Sequence, residues 1–161
     1  MVKSFRMAGG SQRGRGHDLM SFWDECPRLD GVSVLLVEDV PVVRAMVAEA
    51  LELCGARVIA VDSAIEGLEA LKRERPDVLI SSLAMPDHDG YWLIREVRSL
   101  SDVKGGNTPA AAFTGCTTRE DRLKALRAGF QYHVAKPADI AQLAEVVALL
   151  SIQAKAPALV H

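Results

Sequence analysis

Four side chains spread along this sequence could hold a cation and an anion together. Glu38 and Asp39 are adjacent carboxylates that follow the apolar run Val34–Val37. Neighbouring carboxylates repel each other, and they persist where a metal ion or an ammonium group offsets them. Thr114 brings a hydroxyl after Pro109–Phe113, and Lys136 brings an ammonium before Pro137. The proline holds the residue before it extended. Ser82 is the remaining residue of interest: it ends the stretch Val78–Ser82, just before Met85-Pro86-Asp87-His88-Asp89-Gly90. A serine hydroxyl is a nucleophile only with a base beside it. Ser82, His133 and Asp39 include the residue types of a hydrolytic triad, but no G-x-S-x-G elbow surrounds Ser82. The chain is not expected to be an enzyme.

These residues need elements to position them. Val32–Val37 is a valine-rich apolar run and reads as a buried strand. Val43, Met46, Val47, Ala50 and Leu51 then recur at helical spacing, and Gly55 ends that helix. Arg57–Val61 is a second strand. Asp62 or Ser63 caps the next helix, whose inner face is expected to be Ile65, Leu68 and Leu71. Val78–Ser82 is a third strand, and Asp89-Gly90 is a turn and cap signal before a helix over 91–100. Pro109–Thr114 is a fourth strand and Gln131–Ala135 a fifth. Between them, Thr117 or Thr118 caps a helix that runs to Ala128. Ala138–Leu150 is the last helix, with Ile140, Leu143, Val147 and Leu150 facing in. Strands that alternate with helices imply a parallel sheet covered on both faces. The expected fold is α/β: a flavodoxin-like, doubly wound five-stranded parallel sheet, order 2-1-3-4-5, with five helices. Its site lies at the carboxyl ends of the strands.

The 161 residues suffice for one domain with a real core. The expected boundaries are a flexible extension over 1–31, a domain over 32–152 and a short tail over 153–161. Gly9–Gly16 is glycine-rich and basic, and Leu19, Met20, Phe22 and Trp23 read either as a docking helix or as a loosely packed extension. The net charge of −2 argues against a nucleic-acid partner. Cys26, Cys54 and Cys116 make no metal or disulfide pattern. No apolar run approaches the ~20 residues that span a membrane, and the N-terminus has no signal-peptide core. A cytoplasmic location is expected. A flavin or nucleotide site is disfavoured, because the loop after the first strand is Glu38-Asp39-Val40-Pro41, which repels phosphate.

The pieces Val34-Leu35-Leu36-Val37-Glu38-Asp39, Met85-Pro86-Asp87-His88-Asp89-Gly90, Ala112-Phe113-Thr114-Gly115 and Ala135-Lys136-Pro137 together resemble the receiver domain of two-component response regulators. The resemblance covers 32–150, about three quarters of the chain. Leu29-Asp30-Gly31 and Ala128-Gly129-Phe130-Gln131 are similar to the C-terminal receivers of hybrid histidine kinases. In that family the acidic pair holds Mg²⁺, together with a backbone carbonyl two residues after the phospho-acceptor. A strand-3 aspartate accepts the phosphoryl group, and the threonine and lysine hold its oxygens. The resemblance therefore assigns Glu38, Asp39 and Ala84 to the metal and Thr114 and Lys136 to the phosphoryl pocket. It departs at the acceptor, four residues before Pro86, where this chain has Ser82. It departs mildly at the switch aromatic, which falls on His133.

Loss of the acceptor carboxylate is expected to leave Mg²⁺ binding weak at most, and to turn Lys136 toward Asp39. Asp87 and Asp89 are the surrogate acceptors to weigh. Asp87 reads more simply as a solvated loop charge and Asp89 as a cap. Ser81 points to the face opposite Ser82. The expected function is two-component (phosphorelay) signalling of bacterial type by a stand-alone pseudo-receiver that acts by phosphorylation-independent protein binding. The alternative is a phospho-accepting regulator that uses a surrogate residue, or one whose Ser82 is an engineered substitution. Expected partners are a histidine kinase, a phosphotransfer protein or another signalling protein. A second copy is also considered, through the fourth helix, fifth strand and fifth helix. That face would carry His133, Arg119, Arg122, Lys124, Arg127 and Asp139, whose charges also fit a plain solvated surface.

Overall fold

A computed structural model describes residues 26–137 and 139–155. In chain order the elements are β1 Ser33–Val37, α1 Pro41–Leu53, β2 Arg57–Val61, α2 Ala64–Glu74, β3 Val78–Ser82, α3 Gly90–Arg98, β4 Ala110–Thr114, α4 Arg119–Ala128, β5 Tyr132–Ala135 and α5 Ile140–Lys155. A short 3-10 turn, Asp102–Lys104, sits between α3 and β4. The strands pair in parallel in the order β2-β1-β3-β4-β5, as the alternating pattern predicts.

The period-2 alternation of a strand assigns each side chain to one layer. Val34 and Leu36 join Val47 and Leu51 of α1 and Leu143, Val147 and Leu150 of α5. Leu35 and Val37 join Ala70 and Leu71 of α2, Leu93, Ile94 and Val97 of α3 and Ala125 of α4. Two helices therefore cover one face and three cover the other. Glu38 and Ser82 have the same parity as Leu36 and Ile80, so both belong to the α1/α5 face. Each large aliphatic side chain sealed here contributes roughly 1.5–3 kcal/mol.

The helix starts follow local chemistry. The Ser63 hydroxyl accepts from the Glu66 amide, Asp89 accepts from the Trp92 amide, and Thr118 and Asp121 form a reciprocal capping box. Asp139 accepts from the Ala141 amide at the start of α5.

Four details differ from expectation. In α2 the inner face is Ala64, Gly67, Ala70 and Leu71, while Ile65 is 49% exposed. A Cβ on Gly67 would sit 2.7 Å from Val37 Cγ2, so the small residues are what let α2 close onto β1. In α1, Val47 and Leu51 face in, but Met46 is 58% exposed. The extension expected over 1–31 is packed at its end: Leu29 is buried and its amide donates to the Cys54 carbonyl. At the other end α5 continues to Lys155, past the expected end of the domain. The docking helix considered around Leu19–Trp23 lies outside the described residues.

Gly90, the first residue of α3, packs directly against the end of β3. A Cβ there would run into the Ser82 carbonyl oxygen and come within 2.9 Å of Leu83 Cα, both backbone atoms. Gly90→Ala is therefore expected to destabilise the fold by about 1–3 kcal/mol, read as a lower urea midpoint at unchanged slope.

Candidate functional site

β1 and β3 are neighbours, so their carboxyl ends lie side by side, with Val37 opposite Ser81. Glu38 extends β1 into a position with no solvent exposure. Its Oε2 accepts from the Val40 amide at 3.0 Å. Its Oε1 meets the Lys136 Nζ at 2.7 Å and accepts from the Ser82 hydroxyl at 3.1 Å. The Lys136 Nζ also donates to the Ser82 Oγ at 2.8 Å. Carboxylate, hydroxyl and ammonium thus form a closed triangle at the ends of β1, β3 and β5.

Lys136 is delivered by backbone and aromatic contacts. Its amide donates to the Thr114 carbonyl, and its ammonium lies 5.1 Å from the centre of the Phe113 ring. Burial on its own would raise the Glu38 carboxyl. The Lys136 hydrogen bond, the Val40 amide, the lysine charge and the Ser82 hydroxyl together overcome that, and the carboxyl sits below its ordinary value. The sequence reading turned Lys136 toward Asp39; the structure pairs it with Glu38. Glu38 is the deeper carboxylate, and a buried anion without a cation is the costlier one to leave. Asp39 is half-buried beside it.

Thr114 is nearly buried, and its Oγ1 accepts from the Cys116 amide at 3.1 Å. That hydroxyl is therefore turned toward its own loop. His133 is half-buried, with Nε2 2.9 Å from the Cys116 carbonyl oxygen, so the same loop also engages β5. The triad types Ser82, His133 and Asp39 are not joined: the hydrogen-bond partners of Ser82 are Glu38 and Lys136. Ser81 points away, its hydroxyl donating to the Ser82 carbonyl. Asp89 is committed to its cap, and Asp87 is an exposed loop residue with φ +69°.

A cavity of about 250 Å³ is lined by Leu83, Ala84, Asp89, Tyr91, Thr114, Cys116, Asp121 and Lys124. Lys124 stands 4.5 Å over the Tyr91 ring. The sequence reading did not single out Tyr91, because on α3 it reads as one more amphipathic position. Arg119, Arg122, Lys124 and Arg127 are all exposed on α4. Leu123, Leu126 and Tyr132 are exposed among them at 38%, 41% and 39%, and the reading missed this apolar component as well.

The fit to Mg²⁺ is poor. A hard cation wants several oxygen anions in octahedral array. Here Glu38 already neutralises Lys136, Ala84 can offer only a carbonyl, and Ser82 supplies no charge. Among the described residues no group of three or more His, Cys, Asp or Glu side chains could hold a metal ion. No helix among them is long and apolar enough to cross a membrane.

Comparison with known proteins agrees with this architecture. A family model described as the response regulator receiver domain matches residues 34–148. An uncharacterized 14.6 kDa protein encoded in the sodA1 3' region of Leptolyngbya boryana is 41% identical over 116 residues, 72% of this chain and 87% of that protein. Hybrid signal transduction histidine kinase D of Dictyostelium discoideum is 30% identical over 76% of this chain, which spans 8% of that kinase's length. The receiver domain of sensor histidine kinase PA1611 from Pseudomonas aeruginosa PAO1 was solved with a magnesium ion in its active site cleft. It superposes with a TM-score of 0.69 at 31% identity, covering 75% of this chain and 98% of that one. The parallel sheet is thus that of a family, and the chain belongs to the response regulator receiver domains of two-component signalling.

Proposed function

We propose that this chain is an atypical receiver that signals by binding partner proteins without taking up a phosphoryl group. The carrying observation is the closed triangle of Glu38, Ser82 and Lys136. Ser82 holds the place where the family resemblance puts the acceptor aspartate. Its hydroxyl is donated to Glu38, and its oxygen lone pair faces the Lys136 ammonium. A nucleophilic serine needs a neighbour that takes its proton. Glu38 is a weak base for that task, because the lysine holds its carboxyl low. The ammonium donates to the very oxygen that would attack. The triangle is also electrically balanced, so it has little need of a divalent cation, and Mg²⁺ binding at Glu38, Asp39 and Ala84 is weak or lost.

Function then rests on surfaces. Receiver domains interact with histidine kinases and phosphotransfer proteins, and partners of that kind suit this chain. The face of α4 and β5, with Arg119, Arg122, Arg127 and His133 around Leu123, Leu126 and Tyr132, offers both charge and apolar area for such contact or for a second copy. Leu29 and the whole of α5 pack into the body, so the proposed domain reaches somewhat beyond 32–152 at both ends.

The deciding experiment is the intact mass of the protein after acetyl phosphate and Mg²⁺, beside Ser82→Asp. The parent is expected to stay unmodified and Ser82→Asp to gain one phosphoryl group. A phosphoryl gain by the parent would reject the proposal and point to a surrogate acceptor such as Asp87.

Two further outcomes test the triangle. Lys136→Met leaves Glu38 buried without its cation. It is expected to cost about 2–3 kcal/mol, below the ~3–5 of a fully buried pair because the lysine side chain is 25% exposed. Adding Glu38→Gln is expected to restore most of that loss in chemical denaturation.

The second outcome concerns pH. The folded-state value of Glu38 lies below its unfolded value, so across that interval the unfolded chain binds more protons and stability rises with pH. The contribution is complete above the ordinary glutamate range near ~4.3. It is lost as pH falls through the lower, folded-state value. Glu38→Gln is expected to flatten this acid limb in urea midpoints measured against pH.

A further inference from the structure

An apolar hollow of about 320 Å³ lies between α1 and the start of α5. Val47 and Phe113, both buried, are its deepest walls. Val43 and Ile140 are half-buried beside them, and the exposed Met46 and Pro137 lie at the surface. The hollow therefore opens to solvent. Its volume is within the ~300–1,000 Å³ of small-molecule pockets, which are mostly apolar with a few placed polar groups. Water is held poorly in such a space, because an ordered water needs roughly two to four polar partners. Among the lining side chains the one strong donor is the Lys136 ammonium.

That ammonium has a hydrogen to spare. It carries three N–H groups. One meets Glu38 Oε1 at 2.7 Å and one donates to Ser82 Oγ at 2.8 Å. The described residues supply no third acceptor. The remaining contact of the ammonium is the Phe113 ring, centred 5.1 Å away. Phe113 is also a wall of the hollow, so the spare donor and the apolar space meet at one place.

These surroundings select a ligand class. An anion is disfavoured, because Glu38 already neutralises Lys136 and Asp39 stands half-buried next to it. A neutral oxygen takes the spare N–H without adding charge. An aromatic ring packs on Phe113, and the flexible thioether of Met46 adapts to its edge. At a liquid-like ~30 Å³ per water the volume corresponds to about ten waters, so a molecule of about ten non-hydrogen atoms fills it.

We propose that the α1–α5 hollow binds a small neutral aromatic molecule with one carbonyl oxygen, its ring against Phe113 and Met46 and its oxygen on the Lys136 ammonium. The binding is non-covalent and stands whether or not the chain takes up a phosphoryl group. Where the phosphorylation-independent reading holds, the occupant is an input that reaches the triangle through Lys136.

The probe is acetophenone, titrated into the full chain and followed by NMR. Saturable shifts are expected at Val43, Val47, Phe113 and Ile140, with a dissociation constant of roughly 0.1–1 mM for so small a ligand. Ethylbenzene has a similar shape and no acceptor, and it is expected to bind roughly three- to tenfold more weakly. Phenylacetate, which adds a charge, is expected to bind more weakly than acetophenone. Val43→Trp and Met46→Trp each fill the hollow and are expected to abolish the shifts. Met46 is 58% exposed, so its variant keeps the fold and decides the matter if Val43→Trp does not fold. Ile65→Glu, on the opposite layer, is expected to leave the affinity unchanged. The proposal is overturned by an absence of saturable shifts at these residues or by equal binding of ethylbenzene. Tighter binding of phenylacetate, or an affinity indifferent to Met46→Trp, overturns it as well.

Discussion

A carboxylate with no exposed surface has to be answered by a cation, and Glu38 sets that demand for the whole carboxyl edge. The answer comes from the far end of the domain: Lys136 crosses from β5, 98 residues later in the chain, to meet it. For this to happen β1, β3, β4 and β5 must be neighbours in the observed order. The Thr114 carbonyl must fix the Lys136 amide, and Phe113 must support the ammonium from one side. Ser82 is the small residue that lets the two charges meet. A longer side chain at that place would come between them.

This arrangement explains how the pocket accommodates a serine at the end of its third strand. With two acids and one lysine the pocket already holds a balanced ion pair plus one half-buried aspartate. The hydroxyl of Ser82 satisfies both partners of the pair at once, so the serine does not leave a polar group unmatched inside the protein. The proposed quiet chemistry of the pocket rests on this mutual satisfaction. On the proposed reading, specificity falls to outer faces such as that of α4 and β5, where charged residues and Leu123, Leu126 and Tyr132 are exposed together.

Much of the fold was legible in the sequence. The strands are valine-rich or small-residue runs bounded by capping signals, and each turn type was marked by Ser63, Asp89, Thr118 or a glycine. The site residues could be found because Glu38, Ser82 and Lys136 each end a strand, and a parallel sheet gathers strand ends. Which carboxylate the lysine chooses was not legible, because Glu38 and Asp39 are adjacent and only the three-dimensional register decides which is buried. The inner face of α2 was missed for a related reason. Ile65 looks like a core residue by type, but close approach to β1 demands the small side chains of Gly67 and Ala70. Met46 misled in the same way, since α1 has two apolar sides and periodicity alone does not rank them. Tyr91 and the apolar patch on α4 carried no signal beyond ordinary amphipathic spacing.

At the opposite edge of the sheet, Arg98 at the end of α3 donates to the carbonyls of Gly106, Thr108 and Gly129 and to the Gln131 side chain. Every acceptor lies downstream of it, by 8 to 33 residues. On a ribosome, α3 therefore emerges before any of these acceptors, and although Gly106 and Thr108 follow soon after, Gly129 and Gln131 come only once α4 has been made. The first three strands can pair while this lock is still open, and it shuts only when the second half of the domain arrives. One side chain thus ties an early part of the chain to a late one, at the sheet edge opposite the acidic pair.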